Sequence, residues 1–298
     1  MAAHLSRRAL TGAMAGLFLG GCAARGPRQA SAHPTPPPYL RSRGLGDEPN
    51  LDPASGDLPA PAAFSYTDSD DETSDCIFYA ADGAPVGLVV YLDGDGQFFH
   101  SQGGQSQDER SPGGLAGVGG VVEAAGVRGF DVVSVRSPGD DGMWWLENQD
   151  GKVRYLEETL DYVAAECGAN MDQLWLVGYS GGSEFISRRF FPAYAERMPG
   201  GGFINFGGGD APEERAAAFS GDAKERLSLN WVTGTRDVPS NSLDGFDGIG
   251  HARNSLAYYR SAGFGHTWSE WPDDDHGSIT EKFGRYVGRV LDDAASGK

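Results

Sequence analysis

The hydrophobic positions of this chain fall into short continuous runs from about residue 64 onward. These runs predict strands: CIFYA (76–80), GLVVYL (87–92), DVVSV (131–135), LWLVG (174–178), GFINF (202–206), LNWVTG (229–234) and HTWSEW (266–271). Several runs are apolar at every position rather than at alternate ones. That pattern is typical of strands buried on both faces of a parallel sheet.

Between the predicted strands lie stretches with apolar residues at helical spacing. KVRYLEETLDYVAAEC (152–167), HARNSLAYYRSAG (251–263) and ITEKFGRYVGRVLDD (279–293) each place such residues on one face. Strands that alternate with helices predict a doubly wound α/β domain, because each crossover helix packs back onto the sheet. We therefore expect one domain over residues 64–298, with a mostly parallel sheet and helices on both faces.

Residues 1–21 predict an export signal. A charged start is followed by an apolar stretch over 9–19, which is too short to span a membrane. The SRR at positions 6–8 resembles the start of a twin-arginine signal. LGGC, ending at Cys22, resembles a bacterial lipobox, in which the cysteine is lipidated and becomes the mature N-terminus. We expect an exported cell-envelope lipoprotein on the extracytoplasmic face of a bacterial membrane; the alternative is a plain cleaved signal with an incidental cysteine.

Residues 22–63 are rich in Pro, Ala, Gly and Ser, as in HPTPPPY. Such a segment buries too little apolar surface to offset the entropy of ordering it. It is therefore predicted to be a tether between the lipid anchor and the domain, with DSDDETSD (68–75) as its solvated end. Neither that acidic run nor LDGDG has the ligand spacing of an EF-hand calcium loop.

Charge and cysteine content narrow the function classes. The 298 residues carry a formal net charge of −18, which excludes a nucleic-acid partner because such proteins need a basic surface. We expect a solvated acidic surface and a monomer. Besides Cys22 the chain contains Cys76 and Cys167. In an exported protein this pair is compatible with one disulfide and also with two buried free thiols.

The pentapeptide GYSGG at 178–182 follows a predicted strand and precedes a predicted helix, SEFISRRFF. In that context G-x-S-x-G predicts a nucleophile elbow, because the glycines permit a strained turn that exposes the serine hydroxyl. Ser180 then lies at a helix N-terminus, where backbone N–H groups favour negative charge. The alternative is a glycine-rich turn with a helix-capping serine.

A serine hydroxyl is a poor nucleophile until a base takes its proton, so a histidine is required. His276 lies in WPDDDHGSI, in the loop between the last predicted strand and the last predicted helix. It is our candidate for the base, and His251, which opens a predicted helix, is the second candidate. The alternative for His276 is a solvated loop residue beside three acidic neighbours.

The imidazole must in turn be held by a carboxylate. Asp237 in WVTGTRDVP comes just beyond a strand end and is the preferred candidate, ahead of three other aspartates, Asp210, Asp244 and Asp247. The resulting chain order is Ser180, then Asp237, then His276. That order is found in α/β-hydrolases and differs from the orders in chymotrypsin and subtilisin.

A tetrahedral intermediate needs N–H donors that are in place before it forms. Gly181, directly after the nucleophile, supplies one. VVYLDGDGQFF offers the other, from the backbone of Asp95 or, as the alternative, of Gly96. A carboxylate near an oxyanion would oppose the developing charge, so we expect the Asp95 side chain to point away or to be hydrogen-bonded.

Together these features resemble the α/β-hydrolase superfamily across residues 75 to 292. The YLDGDG turn and the GYSGGSEF elbow are most similar to its secreted esterase branch, which includes esterase-D-like, polyhydroxyalkanoate depolymerase-like and feruloyl esterase-like proteins. The resemblance implies serine-dependent hydrolysis of carboxylic esters with no metal and no organic cofactor. Many members carry His-Gly at the oxyanion turn, where this chain has Asp93-Gly94.

The substrate side is represented by Trp144 and Trp145 in SPGDDGMWWLENQDG, which follows a predicted strand. Two tryptophans there could form an apolar or sugar-stacking platform for a small-molecule or polymeric ester, or they could pack beneath the loop as core. The leading hypothesis is an exported serine esterase. A peptidase or an envelope acyltransferase would use the same residues, and a non-catalytic ligand-binding lipoprotein is the alternative outside enzymes.

Overall fold

The computed structural model describes residues 61–103, 110–139, 142–212, 219–242 and 244–297. The predicted signal 1–21, Cys22 and nearly all of the predicted tether 22–63 lie outside these residues. The strands of the described part are β1 Ala62–Thr67, β2 Thr73–Tyr79, β3 Gly87–Leu92, β4 Phe130–Val135, β5 Leu174–Tyr179, β6 Gly201–Phe206, β7 Ser228–Val232 and β8 His266–Glu270.

These strands form one sheet with the order β1-β2-β4-β3-β5-β6-β7-β8. The pairs β1–β2 and β2–β4 are antiparallel, and every pair from β4 to β8 is parallel. The central strands β3, β4 and β6 are buried at every position, as their apolar runs predict. The predicted mostly parallel sheet is confirmed.

The helices of the described part are α1 Phe98–Gln102, α2 Val121–Gly126, α3 Gln149–Cys167, α4 Gly181–Phe185, α5 Phe191–Tyr194, α6 Gly221–Arg226, α7 Gly248–Ser261 and α8 Phe283–Ala295. They cover both faces of the sheet. On β3, Leu88 and Val90 pack in one core cluster with residues of α3 and α7, whereas Val89 packs in the other with residues of α2 and α8. Because alternate strand residues point to opposite faces, the sheet is doubly wound, as predicted.

The prediction that residues 68–75 end the tether is wrong, although most of these residues are exposed as expected. β1 and β2 form a hairpin around this segment, and the carboxylate of Asp68 is buried in its turn. Asp68 accepts the N–H groups of Asp70 and Glu72, both at 2.9 Å. An acidic side chain that bonds the backbone two and four residues later builds a turn, so the acidic run is partly structural.

The helical segments differ from prediction mainly at their ends. The segment 279–293 begins with a 3₁₀ turn, Ser278–Lys282, and becomes α-helical only at Phe283. The helix after Ser180 is α4 followed by a π-helical turn, Ile186–Phe190. π-Helical turns are rare in proteins, and many of those that do occur lie at functional sites. Among the described residues, no helix combines the length and the apolar character that crossing a bilayer requires.

The disulfide considered for Cys76 and Cys167 is absent from this structure, in which both residues are buried. They lie in the same core cluster. Burial raises the pKa of the Cys76 thiol well above its ordinary value. Since the thiolate is the form that exchanges with disulfides, this environment suits an inert core thiol. Of the two alternatives, a disulfide and two buried thiols, the structure has the second.

Candidate active site

The parallel strands bring several loops to one edge of the sheet. Ser180 directly follows β5, Asp237 lies in the loop after β7, and His276 lies in the loop after β8. Asp95 follows β3 and Trp145 lies in the loop after β4. Because carboxyl ends of parallel strands meet at one edge, residues far apart in sequence become neighbours, and this edge is where open α/β sheets bind ligands.

Ser180 occupies a strained turn between β5 and α4. Its φ is +50°, a conformation that non-glycine residues rarely adopt. The flanking glycines allow the close approach that this turn needs. A Cβ at Gly178 would lie 2.7 Å from the backbone nitrogen of Ser183, and a Cβ at Gly182 would collide with the carbonyl of Leu92. The local geometry is that of the predicted elbow.

The hydroxyl, the imidazole and the carboxylate predicted from sequence form one hydrogen-bonded chain. His276 Nε2 lies 2.9 Å from Ser180 Oγ, and His276 Nδ1 lies 2.8 Å from Asp237 Oδ2. The Asp237 carboxylate is buried, whereas the imidazole is about one-third exposed on the cavity side. The carboxylate can therefore hold Nδ1 protonated and leave Nε2 to accept the serine proton.

The other carboxylates considered for this role have different partners. Asp210 accepts from Asn254 Nδ2 at 2.6 Å, Asp247 accepts the N–H of Gly250 at the start of α7, and Asp244 is bonded by Ser242. His251, the second candidate for the base, contacts Glu184 instead of an aspartate near Ser180. Of these candidates, the described structure brings only Asp237 and His276 together with the serine.

Tyr179, the variable residue of the elbow pentapeptide, holds the imidazole from the other side. Its ring stacks on His276 with centroids 5.1 Å apart, and its hydroxyl donates to the carbonyl of His276 at 3.0 Å. Both the ring and the backbone of His276 are thus fixed by the residue adjacent to the nucleophile. This role was not predicted from the sequence, where the tyrosine directly before the serine of the pentapeptide is the signal that could have indicated it.

Asp93, which replaces the histidine common at this turn, builds the turn after β3. Its buried carboxylate accepts the N–H groups of Gly94 and His100 at 2.8 and 2.9 Å, and the hydroxyl of Tyr91 at 2.9 Å. Burial raises the pKa of Asp93, an effect that these three donors oppose. His100 is buried and bonded to Ser134 at 2.8 Å, so it is a structural residue.

Asp95 and Gly181, the predicted oxyanion donors, lie side by side. A Cβ at position 181 would collide with the Asp95 carboxylate and approach the Trp145 indole. The first turn of a helix leaves backbone N–H groups without carbonyl partners, and Gly181 is the first residue of α4. The Asp95 carboxylate accepts from Trp145 Nε1 at 3.0 and 3.1 Å, so the expectation of a hydrogen-bonded side chain is met.

Ser180 and His276 open into a cavity of about 500 Å³. The residues of its wall that were not predicted from the sequence include Arg188, Glu184 and Phe246. The Phe246 ring contacts both His251 and His276 edge-on, at centroid distances of 5.1 and 5.4 Å. The cavity is large enough for a small-molecule ligand and carries both charged and aromatic groups.

No protein-family model and no curated protein matches this sequence, whereas solved structures do. Poly(aspartic acid) hydrolase-1 from Sphingomonas sp. KT-1 superposes with a TM-score of 0.53, covering 78% of this chain and 99% of its own, at 13% identity. SOBER1 from Arabidopsis thaliana gives a TM-score of 0.50, covering 70% of this chain and 99% of its own, at 16% identity. The chain has the α/β-hydrolase fold. At such low identity the structural similarity establishes the fold alone. The reaction has to be inferred from the geometry of the site.

Within the α/β-hydrolase fold the two tryptophans have different places. Trp144 is fully buried and stacks on Phe185 with centroids 5.0 Å apart. Its predicted role as a substrate platform is wrong, because the ring fills the core beneath the loop. Trp145 lines the cavity and is bonded to Asp95, so it remains a candidate for substrate contact.

Glu184, Asp210 and His251 place three ligand-type atoms within 4.8 Å of one another. Their contacts suit a hydrogen-bonded network better than a metal ion. Glu184 already accepts the N–H groups of Gly209 and Asp210 and the Nδ1 proton of His251. The guanidinium of Arg188 lies 3.6 Å from the same carboxylate, and a cation there would repel a divalent metal.

Proposed function

We propose that the protein is an exported serine hydrolase that cleaves carboxylic esters through an acyl-enzyme. The observation that carries this proposal is the unbroken hydrogen-bonded chain from Ser180 through His276 to Asp237 at the wall of a cavity. A hydroxyl, an imidazole and a buried carboxylate in this order are the parts that nucleophilic acyl transfer requires.

In the first half-reaction, Ser180 Oγ attacks the ester carbonyl carbon while His276 Nε2 takes its proton. Asp237 stabilises the resulting imidazolium through Nδ1. The N–H groups of Gly181 and Asp95 receive the oxyanion, and Trp145 keeps the Asp95 carboxylate engaged as charge develops. The tetrahedral intermediate then collapses, the C–O bond to the alcohol breaks, and His276 gives the alcohol its proton.

In the second half-reaction, water replaces the alcohol. His276 takes a proton from the water as its oxygen attacks the acyl-enzyme carbonyl. The new tetrahedral intermediate expels Ser180 Oγ, which recovers the proton from His276, and the carboxylic acid leaves. The ester has gained one water overall, and Ser180 and His276 return to their starting states.

The experiment is hydrolysis of a p-nitrophenyl ester panel that varies acyl length and aromatic character, with a p-nitroanilide of the best acyl group beside it. We expect ester cleavage that His276→Ala abolishes and that the exposed His266→Ala leaves unchanged. Cleavage of the anilide at the ester's rate would contradict the esterase proposal and indicate a peptidase. An added alcohol that captures most of the acyl group would indicate a transferase.

We further propose that the protein is carried out of the cytoplasm and anchored by lipid on Cys22. The support is the order of SRR, an apolar stretch and LGGC within the first residues of the chain. Replacing Cys22 by Ser should move the protein from the membrane fraction to the soluble fraction. A Cys22→Ser protein that stays with the membranes would contradict the lipid anchor.

A further inference from the structure

The cavity next to Ser180 contains a second carboxylate–imidazole pair, which the proposed mechanism does not use. His251 Nδ1 lies 2.9 Å from Glu184 Oε1, and both residues line the cavity wall. The Glu184 carboxylate is buried, whereas the imidazole of His251 is about one-third exposed. The pair therefore presents one face of a fixed imidazole to whatever enters the cavity.

Glu184 is held by more than the imidazole. It accepts the N–H groups of Gly209 and Asp210 at 2.9 and 3.2 Å, which attaches it to the loop after β6. With the carboxylate fixed and Nδ1 bound to it, the second ring nitrogen, Nε2, is the polar atom that His251 offers to the cavity. Among the described residues, no group makes a hydrogen bond with this Nε2.

The same wall carries positive charge. Arg188, one helical turn after Glu184, lines the cavity with its guanidinium 3.6 Å from the Glu184 carboxylate. The hydrogen bond that His251 donates to Glu184 raises the pKa of His251, with a further contribution from Asp210, while burial and Arg188 act in the opposite direction. A protonated His251 donates from Nε2 and does not accept. The wall then offers charged donors to an anion.

Besides Glu184, which already accepts from two backbone N–H groups and from His251, the cavity wall contains two further carboxylates, Asp95 and Asp244. Asp95 is bonded by Trp145, and Asp244 is bonded by Ser242 and by the backbone of Phe246. These carboxylates would repel an anion placed beside them. An anionic group on a bound molecule is therefore directed to the part of the wall formed by His251 and Arg188.

We propose that His251 and Arg188 form a carboxylate-binding subsite, and that the preferred substrates are esters that carry a free carboxylate elsewhere in the same molecule. This inference rests on the proposed function and names its substrate class. Phe246 packs against both imidazoles, so the subsite and the reacting serine belong to one cavity and one substrate can reach both.

The test compares three esters of matched length: monoethyl glutarate, the neutral ethyl 5-amino-5-oxopentanoate and the cationic ethyl 5-aminopentanoate. We expect kcat/KM for the anion to exceed that for the neutral amide by about tenfold, mainly through KM, because only the anion can form charge-assisted hydrogen bonds with the two side chains. Comparing kcat/KM for 4-acetoxybutanoate and 4-acetoxybutanamide tests whether a carboxylate on the alcohol part of the ester has the same effect. Equal rates within both pairs, or a preference for the ammonium ester, would overturn the proposal.

Substitutions of His251 and Arg188 test whether these two residues cause the preference for the anionic ester. His251→Gln and Arg188→Gln should each lower the ratio of anionic to neutral kcat/KM by roughly three- to tenfold, as loss of one charged donor implies. Arg189→Gln is the matched control, because it removes the same charge one residue away, where Arg189 bonds Gln149. An unchanged ratio in the first two variants, or an equal fall in Arg189→Gln, would contradict the assignment.

The pH dependence of that ratio gives a test on the unaltered protein. Glu184, Asp210 and Arg188 are the charged groups that act on His251. Both esters are attacked by the same Ser180 and His276, so the ratio cancels the pH dependence of the chemical steps. It should decline as pH rises through the raised pKa of His251, above the ordinary imidazole range. A ratio constant across that range would exclude His251 as the charged donor.

Direct binding separates a failure of the subsite from a failure of the proposed function. Titration calorimetry on the Ser180→Ala protein should give about tenfold tighter binding of monoethyl glutarate than of its neutral amide, the effect expected of a charge-assisted contact. If no ester is hydrolysed yet the anion binds more tightly, the subsite stands and the esterase does not. If esters are hydrolysed and the two ligands bind equally, the subsite is wrong.

Discussion

Two carboxylate–imidazole pairs face the same cavity in this protein, and their local geometry is nearly identical. Asp237 and Glu184 hold the Nδ1 atoms of His276 and His251 at 2.8 and 2.9 Å. The carboxylates are 1% and 3% exposed and the imidazoles 34% and 35%. The edge of Phe246 packs against both rings. A carboxylate-bound histidine is therefore not sufficient to identify a catalytic base.

The pairs differ in what lies beyond the second ring nitrogen. His276 Nε2 meets Ser180 Oγ at 2.9 Å, and Tyr179 stacks on the ring and bonds its backbone carbonyl. His251 Nε2 faces the cavity instead. The first pair can move a proton between a nucleophile and a leaving group, whereas the second can only bind what enters. The group that lies next to Nε2 of each histidine therefore determines whether the pair can transfer a proton or only bind a ligand.

Removing the carboxylate charge from each pair should have very different consequences. Asp237→Asn is expected to lower kcat on p-nitrophenyl butyrate by about 10⁴-fold, because the amide favours the wrong imidazole tautomer. Steady-state rates of the purified variant measure this. A fall of less than tenfold in a folded Asp237→Asn protein would mean that His276 does not depend on Asp237.

The corresponding change in the second pair, Glu184→Gln, should be seen chiefly in stability. The amide has one acceptor oxygen in place of two, so one of the N–H groups of Gly209 and Asp210 loses its partner. Leaving a buried donor unsatisfied costs about 1–3 kcal/mol of unfolding free energy. Urea denaturation measures the loss, with Glu225→Gln on the surface as a control. An unchanged midpoint would contradict the structural role of Glu184.

Tyr179→Phe tests what supports the imidazole that is bonded to Ser180, a support that has no counterpart around His251. The substitution keeps the stacked ring and removes the hydroxyl that donates to the His276 carbonyl. Loss of one hydrogen bond of about 1 kcal/mol should lower kcat by roughly fivefold, with KM little changed. Tyr258→Phe is the control, because Tyr258 is a half-buried residue of α7 that does not line the cavity. A change confined to KM would assign Tyr179 to substrate binding.

The smallest expected effect is on the pH dependence of stability. The folded protein holds the pKa of His251 above its ordinary value, so the imidazolium stabilises the native state. That contribution is complete below the ordinary imidazole pKa and is lost as pH rises through the raised value. The stability difference between the native protein and His251→Gln should therefore shrink from pH 5 to pH 9. A difference that grows with pH would contradict the pairing.

The first pair was predictable from the sequence and the second was not. Ser180, Asp237 and His276 each follow a predicted strand, so their loops could be assigned to one edge of the sheet. Glu184 lies within the helix after the elbow, and His251 opens α7. Nothing in local spacing indicates that these two helices bring their side chains together. Their meeting depends on how α4 and α7 pack.

In the fold, too, features that depend on local sequence were predictable, whereas features that depend on tertiary packing were not. Parallel strands were predicted because burial on both faces produces continuous apolar runs. β1 was missed because AAFSYT has only a weak alternation and lies beside a Pro- and Ala-rich stretch. Trp144 and Trp145 are adjacent in sequence, yet one is core and the other lines the cavity. Which neighbour faces inward is settled by packing, and the dipeptide itself carries no sign of it.

The central claim, that the pair joined to Ser180 is the catalytic one, is tested most directly by a fluorophosphonate probe followed by peptide mass spectrometry. We expect one covalent adduct, on Ser180, that forms rapidly in the native protein and in His251→Gln. Labelling should slow by orders of magnitude in His276→Ala and be absent in Ser180→Ala. An adduct on another residue, or labelling of Ser180 that His276→Ala leaves as fast as before, would contradict this claim.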